Sequence, residues 1–208
     1  MTYYPINLNL TGRRCVVVGG GAVAGRKART LLNCGAQVLL IAPEADAGMQ
    51  SLAGGDAVEW IVEKYNARYL GGAFLVIAAT DDAEVNAAVT RDAQARELLV
   101  CRVDAPDDGN FISPATVARG DLLLTVSTSG ENPTLAAVLA ERLQEEFGDE
   151  WAVWTKLCGA LRPDLQALPS GEAGRRAAVR RILDDAQIGA LVRSGNLTEA
   201  EAMARQCL

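Results

Sequence analysis

Histidine is absent from the 208-residue sequence. Its absence excludes histidine-ligated metal centres, Ser-His catalytic triads and histidine general bases. Any proton transfer in this protein must therefore depend mainly on Asp, Glu, Tyr, Lys or Cys side chains.

Lysine is also scarce, because the chain contains only Lys27, Lys64 and Lys156. None of the three follows a tyrosine by four positions, so the Tyr-x-x-x-Lys pair of short-chain dehydrogenases is missing. The other basic residues are arginines, which favour bidentate contacts with carboxylate or phosphate where they face a site.

Cysteine occurs five times, an odd number, and no two cysteines form a Cys-x-x-Cys pair. Cys15 and Cys101 lie within apolar, strand-like runs. We therefore expect reduced core thiols, and neither a disulfide framework nor a zinc site. No residue is predicted to be a metal ligand.

Long hydrophobic runs are missing as well, since none approaches the roughly 18 residues that a membrane span requires. The first residues, Met-Thr-Tyr-Tyr-Pro, show neither the basic nor the hydrophobic region of a secretory signal. The formal net charge is -6, and an acidic chain is a poor ligand for nucleic acid. These patterns predict a cytoplasmic protein without nucleic-acid or membrane partners.

The most informative stretch is an apolar run, Cys15 to Val18, followed by three glycines and a helical pattern from Ala22 to Asn33. Gly19, Gly21 and Ala24 fit the G-x-G-x-x-G/A spacing of dinucleotide-binding turns. The first glycine permits a tight turn, the second admits the pyrophosphate, and the small third residue lets the helix pack on the strand. The helix N-terminus then offers free N–H groups to the anion. An ordinary glycine-rich turn is the alternative.

Further apolar runs predict strands near residues 39–41, 58–62, 74–78 and 98–103, with a helix over 83–96. Together with the first strand they predict an α/β fold, a Rossmann-type doubly wound parallel sheet.

The pattern changes after residue 113, where an irregular stretch is followed by a strand over 122–127. A helix is predicted to begin at Pro133 behind the N-cap Asn132, and the rest of the chain is helical in pattern. A Thr-x-x-Glu capping box at Thr198 predicts the start of the last helix.

Three regions follow from these patterns. We expect residues 1–113 to form an NAD-binding Rossmann domain and residues 114–150 a small strand-plus-helix dimerisation segment. Residues 151–208 are expected to form a helical C-terminal domain.

Polar residues follow two of the predicted strands. Thr80 comes after the fourth strand and Asp104 after the fifth, at the edge where open α/β sheets bind ligands. A partly desolvated carboxylate there can have its pKa raised toward neutrality and act as a general base. The sequence Asp104-Ala-Pro-Asp107 is equally consistent with a turn that the Asp104 side chain caps.

An acidic residue near the end of the second strand often binds the ribose of a dinucleotide. Here that strand ends in Ile41-Ala-Pro43-Glu44, so Glu44 stands slightly late. The choice between NAD and NADP therefore stays open.

Candidate substrate contacts lie in the second segment. Ser127 and Thr128 follow its strand, and a loop that closes the start of the next helix is the alternative interpretation. Arg119 precedes that strand and could bind a substrate carboxylate, or it could simply be a surface arginine.

Five motifs occur in the order found in one known family. They are Gly19-Gly-Gly-Ala-Val-Ala-Gly-Arg-Lys27, Ala79-Thr-Asp-Asp-Ala-Glu-Val-Asn86, Val103-Asp-Ala-Pro106, Phe111-Ile-Ser-Pro-Ala115 and Ser127-Thr-Ser-Gly-Glu-Asn-Pro-Thr-Leu-Ala136. With these motifs the chain resembles, over nearly its whole length, the precorrin-2 dehydrogenase/sirohydrochlorin ferrochelatase family, which includes the N-terminal half of siroheme synthase. Thr128 departs from that pattern, because the fused enzymes tend to carry a serine there.

The resemblance implies an activity and a site. Precorrin-2 would lose a hydride to NAD+ and a proton, giving sirohydrochlorin, and in some members the same site then inserts Fe2+. It further implies dinucleotide contacts by Ala22, Val23, Pro43 and Glu44, a general base at Asp104, and a homodimer joined through the second segment. An NAD(H)-sensing regulatory module without catalysis is the alternative, which would explain the glycines but not Asp104.

Overall fold

The structure of the chain, a computed structural model, describes residues 3–52 and 55–208. The chain divides into two compact units, with the boundary between Ser113 and Pro114. The first unit is an α/β domain and the second combines a two-stranded sheet with helices. Met1 and Thr2, on which the expected absence of a secretory signal partly rests, lie outside the described residues.

A parallel sheet with the strand order β3-β2-β1-β4-β5 forms the centre of the first unit. Its strands are β1 (Arg14–Val18), β2 (Gln37–Ile41), β3 (Val58–Ile61), β4 (Leu75–Ala78) and β5 (Leu99–Arg102). The direction of strand progression reverses between β1 and β4, which makes this the topological switch point of the sheet. The predicted Rossmann-type α/β fold is confirmed.

Helices cover both faces of this sheet. They are α1 (Ala22–Asn33), α2 (Ala47–Leu52) and α3 (Ala83–Gln94), with a 3-10 turn at Ala67–Leu70. Alternate side chains of β1 point to opposite faces, so Val17 packs in one core with Ala24 of α1, and Val16 packs in the other with Val89 of α3. Apolar burial on both faces explains why the strands are continuous hydrophobic runs.

A β-hairpin opens the second unit. Strand β6 (Ala115–Arg119) pairs antiparallel with β7 (Leu122–Val126) around Gly120, whose φ is +57°. The sequence pattern predicts an irregular stretch followed by one strand, and it does not predict β6. The reason is that its residues alternate between exposed and buried positions and form no apolar run.

Six helices follow the hairpin. They are α4 (Pro133–Glu146), α5 (Trp151–Ala160), α6 (Arg162–Ala167), α7 (Gly171–Asp184), α8 (Ala186–Arg193) and α9 (Leu197–Arg205). Helices α5 to α9 enclose one hydrophobic core with Leu157, Leu161, Ile182 and Ile188 fully buried. In residues 3–52 and 55–208 no helix combines the length and apolarity needed to cross a membrane.

The predicted start of the last helix is wrong. Asn196 is its N-cap, and Oδ1 of Asn196 accepts a hydrogen bond from the Glu199 N–H at 3.4 Å. Thr198 lies inside the first turn instead of capping it. Gly195, with φ +76°, ends α8 immediately before this N-cap.

Candidate functional site

The glycine turn after β1 is packed against the ends of two neighbouring strands. Gly19 has a φ of +125°, and a Cβ added there would overlap the carbonyl oxygen of Ala79. A Cβ at Gly20 would overlap the carbonyl oxygen of Glu44. Gly20 occupies the position between the first two glycines of the fingerprint, where the motif allows any residue. In this chain only glycine fits there, because any side chain would overlap the Glu44 backbone.

The third glycine faces open space. Gly21 is the N-cap of α1, and a Cβ built on it meets no atom within 4 Å. Helix α1 has neither a side-chain cap nor an acidic residue in its first turn, so the N-terminal N–H groups near Ala22 and Val23 face outward without a competing carboxylate. Ala24 is fully buried beneath them. This arrangement fits a pyrophosphate group.

The loop after β2 is joined to this turn. The Asp46 N–H donates to the Gly20 carbonyl oxygen at 2.9 Å, and Asp46 Oδ1 accepts from the Met49 N–H at 2.8 Å. Pro43 and Glu44 are exposed at the same edge. A backbone hydrogen bond thus connects the loop after β2, which is predicted to contact the ribose, with the glycine turn, which is predicted to contact the pyrophosphate.

Thr80 is held by a buried asparagine. The Thr80 N–H donates to Asn86 Oδ1 at 3.0 Å, and Thr80 Oγ1 lies 2.8 Å from the same oxygen. Asn86 Nδ2 donates back to the Thr80 carbonyl oxygen at 3.0 Å. Asn86 lies on α3 and has no exposed surface. The end of β4 is consequently fixed by a side chain from the following helix.

The same asparagine reaches Asp104. Asn86 Nδ2 donates to Asp104 Oδ1 at 2.9 Å. Arg102 donates from Nη2 to Asp104 Oδ2 at 2.8 Å and from Nε to Oδ1 at 3.1 Å. Arg102 also pairs with Asp108 at 2.6 Å and donates to the Ala83 carbonyl oxygen at 3.2 Å. Its side chain is 11% exposed, against 33% for Asp104.

This pairing reverses the pKa expected for Asp104. We expected burial to raise it, but the hydrogen bond from Arg102 holds the pKa of Asp104 below its ordinary value of 3.8. The bonds from its own backbone N–H and from Asn86 act in the same direction, and together they outweigh desolvation. The raised pKa was a wrong prediction, because Arg102 stands two positions earlier on the same face of the chain and neutralises the carboxylate.

Sequence reasoning thus missed Asn86 and Arg102. Asn86 was visible as the last residue of the second family motif, and its place four residues after the N-cap Asp82 puts it one helical turn inside α3. Arg102 was visible as a charged residue within an otherwise apolar strand. A charge in such a place signals a partner nearby.

Arg119 has partners within its own unit. Its side chain is 15% exposed, Nη2 donates to the Gln144 carbonyl oxygen at 3.1 Å, and Nε lies 3.4 Å from Asp149 Oδ1. It therefore contacts the carboxyl end of α4, where a positive charge is favourable. Arg119 is thus a partly buried arginine with structural partners, and its substrate role stays a prediction.

Ser127 and Thr128 bond to the loop that precedes α4. Ser127 Oγ accepts from the Ser129 N–H at 3.1 Å, and Thr128 Oγ1 accepts from the Asn132 N–H at 3.1 Å. These contacts favour the loop-closing interpretation for both hydroxyls. Their substrate role stays a prediction.

The cysteines carry free thiols. Cys15 and Cys101 are buried in the sheet core, and burial raises the pKa of Cys15 to about 11. Within the described part of the chain no three acidic or cysteine side chains gather closely enough to hold a metal ion.

The first unit has three features of a dinucleotide-binding α/β protein. They are a parallel sheet, an open helix N-terminus behind a glycine turn, and polar strand ends beside the switch point. A family model described as "Putative NAD(P)-binding" matches residues 6–115 of the chain.

Relatives of known name extend the similarity over the whole chain. Siroheme synthase 3 of Aeromonas hydrophila is 34% identical over 204 residues, which are 98% of this chain and 44% of that protein. Siroheme synthase of Chromobacterium violaceum is 39% identical over 177 residues, or 85% and 38% of the two chains. This chain therefore spans less than half the length of these relatives.

A solved structure matches both units. SirC, precorrin-2 dehydrogenase, superposes with a TM-score of 0.73 at 26% identity, covering 98% of this chain and 100% of that one. The chain belongs to the putative NAD(P)-binding family. Its resemblance to precorrin-2 dehydrogenase and to siroheme synthase, indicated by five motifs, is confirmed.

Proposed function

We propose that this chain is an NAD-dependent dehydrogenase that oxidises precorrin-2 to sirohydrochlorin in siroheme synthesis. The observation that carries the proposal is the match to SirC, precorrin-2 dehydrogenase, over 98% of this chain and the whole of that one. The glycine turn and the carboxylate beside the switch point supply the two groups of residues that such a reaction needs.

The cofactor would be held by the first unit. Gly21 leaves open space for the pyrophosphate, and the N–H groups at Ala22 and Val23 would bind it. Thr80 and Pro43 would border the dinucleotide from the ends of β4 and β2. When bound, the nicotinamide ring supplies an acceptor for the hydride.

Glu44 supports the choice of NAD over NADP. Its side chain is exposed at the end of β2, where a dinucleotide site binds the adenosine ribose. A carboxylate there can accept a hydrogen bond from a 2′-hydroxyl and repels a 2′-phosphate. NAD is therefore the proposed cofactor.

Asp104 would take the proton that leaves the substrate. Oδ1 accepts from Asn86 and from Arg102 Nε at 3.1 Å, and Oδ2 accepts from Arg102 Nη2 at 2.8 Å and from Nε at 3.3 Å. The Asp104 side chain is nevertheless 33% exposed, so the carboxylate is accessible from one side. Because its pKa lies below the ordinary range, Asp104 is ionised at neutral pH and acts through its position more than through its basicity.

Insertion of Fe2+ into sirohydrochlorin is proposed as a second reaction, with the iron as substrate. The tetrapyrrole itself supplies four nitrogens to the metal, so the absence of histidine from the chain does not oppose this step.

A homodimer is also part of the proposal. Leu123 on β7 and Leu135 and Val138 on α4 are at least 40% exposed. A second copy that covers these side chains would remove apolar surface from solvent. A cytoplasmic location stays a prediction.

One anaerobic experiment tests the activity. The purified chain is mixed with precorrin-2 and NAD+, or with NADP+, and spectra are recorded; Fe2+ or Co2+ is then added. We expect NADH and sirohydrochlorin to form in equal amounts with NAD+. Asp104→Asn and Asp104→Ala should bind NAD+ like the wild type but lose turnover.

The competing function is an NAD(H)-sensing module without catalysis. The ion pair between Asp104 and Arg102 favours it, because such pairs also occur for purely structural reasons. Stoichiometric NAD+ binding in calorimetry, together with no oxidation of precorrin-2, would establish the sensor and refute the dehydrogenase.

A further inference from the structure

Asn86 is a fully buried polar side chain at the ligand edge of the sheet. It lies on α3 and contacts both the end of β4 and the residue that follows β5. Burying an amide costs free energy unless it is hydrogen-bonded. The sequence motifs assign Asn86 no role that would explain this cost, but its hydrogen bonds to Thr80 and Asp104 indicate one.

The Asn86 amide is bonded through both its oxygen and its nitrogen. Oδ1 accepts from the Thr80 N–H at 3.0 Å and lies 2.8 Å from Thr80 Oγ1, whose single proton is shared between Oδ1 and the Asp82 carbonyl oxygen at 2.9 Å. Nδ2 donates to the Thr80 carbonyl oxygen at 3.0 Å and to Asp104 Oδ1 at 2.9 Å. Both amide hydrogens are therefore used within the network, and the side chain has no exposed surface.

The orientation of this amide is determined by its neighbours. If the amide were flipped, its NH2 group would face the Thr80 N–H, and its oxygen would face the Asp104 carboxylate and the Thr80 carbonyl. Each of those contacts would be repulsive. The side that meets Asp104 is therefore a donor.

Arg102 alone leaves the carboxylate only partly constrained. It reaches Asp104 from β5, two residues away, and it also pairs with Asp108 on the 3-10 turn at Pro106–Asp108. Asn86 adds a contact from a separate element, α3, and it selects Oδ1. Contacts from two elements fix the position and the rotation of the carboxylate together.

We propose that Asn86 is a positioning residue for Asp104: its amide holds Oδ1 against the end of β4 and so fixes the rotation of the carboxylate. The catalytic consequence rests on the proposed function, whereas the structural coupling does not. Asn86 itself touches no reacting atom. It makes the cofactor edge at Thr80 and the base at Asp104 parts of one rigid network.

The first test uses an isosteric variant. Asn86→Asp retains an acceptor for Thr80 and replaces the donor that faces Asp104 by a carboxyl oxygen. At low pH the introduced carboxyl is protonated and can donate to Asp104. As pH rises it ionises, and kcat should fall about 10- to 100-fold, while NAD+ affinity is retained. Thermal melting over the same pH range checks that the fold persists.

A matched control comes from the next turn of the helix. Thr90 is also buried, and its Oγ1 donates to the Asn86 carbonyl oxygen at 2.8 Å, yet it does not contact Asp104. Thr90→Val should therefore lower stability without adding the new alkaline limb to the kcat profile. The positioning role would be refuted if kcat fell with rising pH to the same extent in Thr90→Val. It would also be refuted if kcat did not fall with rising pH in Asn86→Asp.

A second readout is independent of turnover. Carbon-13 NMR of the Asp104 carboxyl in the unliganded chain should show its pKa raised in Asn86→Ala relative to the wild type and unchanged in Thr90→Val. An Asp104 titration that is the same in wild type and Asn86→Ala would overturn the proposal. If the wild type does not oxidise precorrin-2, the proposed function fails, and this titration still decides the role of Asn86. If Asn86→Ala does not fold, the pH series with Asn86→Asp decides it.

Discussion

Gly19 lies in backbone contact with Ala79, so that a Cβ at Gly19 would overlap the Ala79 carbonyl oxygen. The contact joins the glycine turn after β1 to the end of β4, the two strands between which the sheet reverses its order. The glycine therefore has a structural role that is separate from cofactor binding.

Gly19→Ala should destabilise the fold. The φ of +125° costs a side chain roughly 1–3 kcal/mol, and the overlap with Ala79 adds to it. We expect a loss of more than about 3 kcal/mol in urea unfolding. Gly12→Ala is the control, because Gly12 has a φ of +68° but no atom near its Cβ position; it should lose only about 1–2 kcal/mol. Equal losses in the two variants would contradict the role of the Ala79 contact.

Gly21→Asp should separate stability from cofactor binding. Asp is as good an N-cap as glycine or better, by a few tenths of a kcal/mol, and the added Cβ meets open space. The free energy of unfolding should therefore stay the same or rise slightly. NAD+ binding should be lost, because the new carboxylate occupies the place of the pyrophosphate.

Gly21→Asn is the matched control for charge. It places a side chain of the same shape at the N-cap without a negative charge, so its loss of NAD+ affinity should be smaller. Isothermal titration calorimetry compares the three proteins. Unchanged NAD+ affinity in Gly21→Asp would show that the N-terminus of α1 does not bind the cofactor.

The parts of the fold that were predictable from sequence are those with a local signal. Strands β1 and β4 are apolar runs because both faces of the sheet are covered, and α1 follows its glycines directly. Strand β6 alternates between exposed and buried positions and gives no such run. The last helix was misplaced because two capping signals, at Asn196 and Thr198, compete within three residues.

The site was predictable in its positions but not in its electrostatics. Asp104 and Thr80 were found because strand ends are where such sheets bind ligands. The direction of the Asp104 pKa depends on Arg102 and Asn86, and Asn86 comes from an element 18 positions away. Tertiary pairing of this kind leaves no periodic trace in the sequence.

Arg102→Gln should raise the pKa of Asp104, because it removes the largest cause that lowers it. In the wild type the depressed pKa contributes stability that is fully present above the ordinary value of 3.8 and is lost as pH falls through the folded value. The variant should therefore lose less stability on acidification than the wild type, although it starts lower at neutral pH. The acid limb of kcat/KM should move to higher pH.

Arg176→Gln provides the control for this charge change. Arg176 pairs with Glu172 at 2.6 Å, but both side chains are about 70% exposed, so its loss should leave the acid dependence of unfolding and of kcat/KM as it was. Urea unfolding at a series of pH values and the pH profile of turnover make the comparison. An unmoved acid limb in Arg102→Gln would mean that Asp104 does not set it.

Arg119→Ala tests a predicted substrate contact against a structural role. The bonds from Arg119 to the end of α4 predict a loss of about 1–2 kcal/mol in unfolding, with little change in the KM for precorrin-2. Asp149→Asn removes only the fully exposed partner and should cost almost nothing. A raised KM for precorrin-2 with an unchanged free energy of unfolding would instead support a substrate contact by Arg119.

Leu135→Glu should convert the proposed dimer into monomers. Leu135 and Val138 are exposed three residues apart on one face of α4, and in a two-fold interface each substitution enters twice. Two buried, unpaired carboxylates then oppose association. Val62→Glu is the control, because Val62 is 61% exposed in the first unit, outside the surface proposed to pair. Sedimentation velocity should find dimers for the wild type and Val62→Glu but monomers for Leu135→Glu, and a monomeric wild type or a persistent Leu135→Glu dimer would refute this interface.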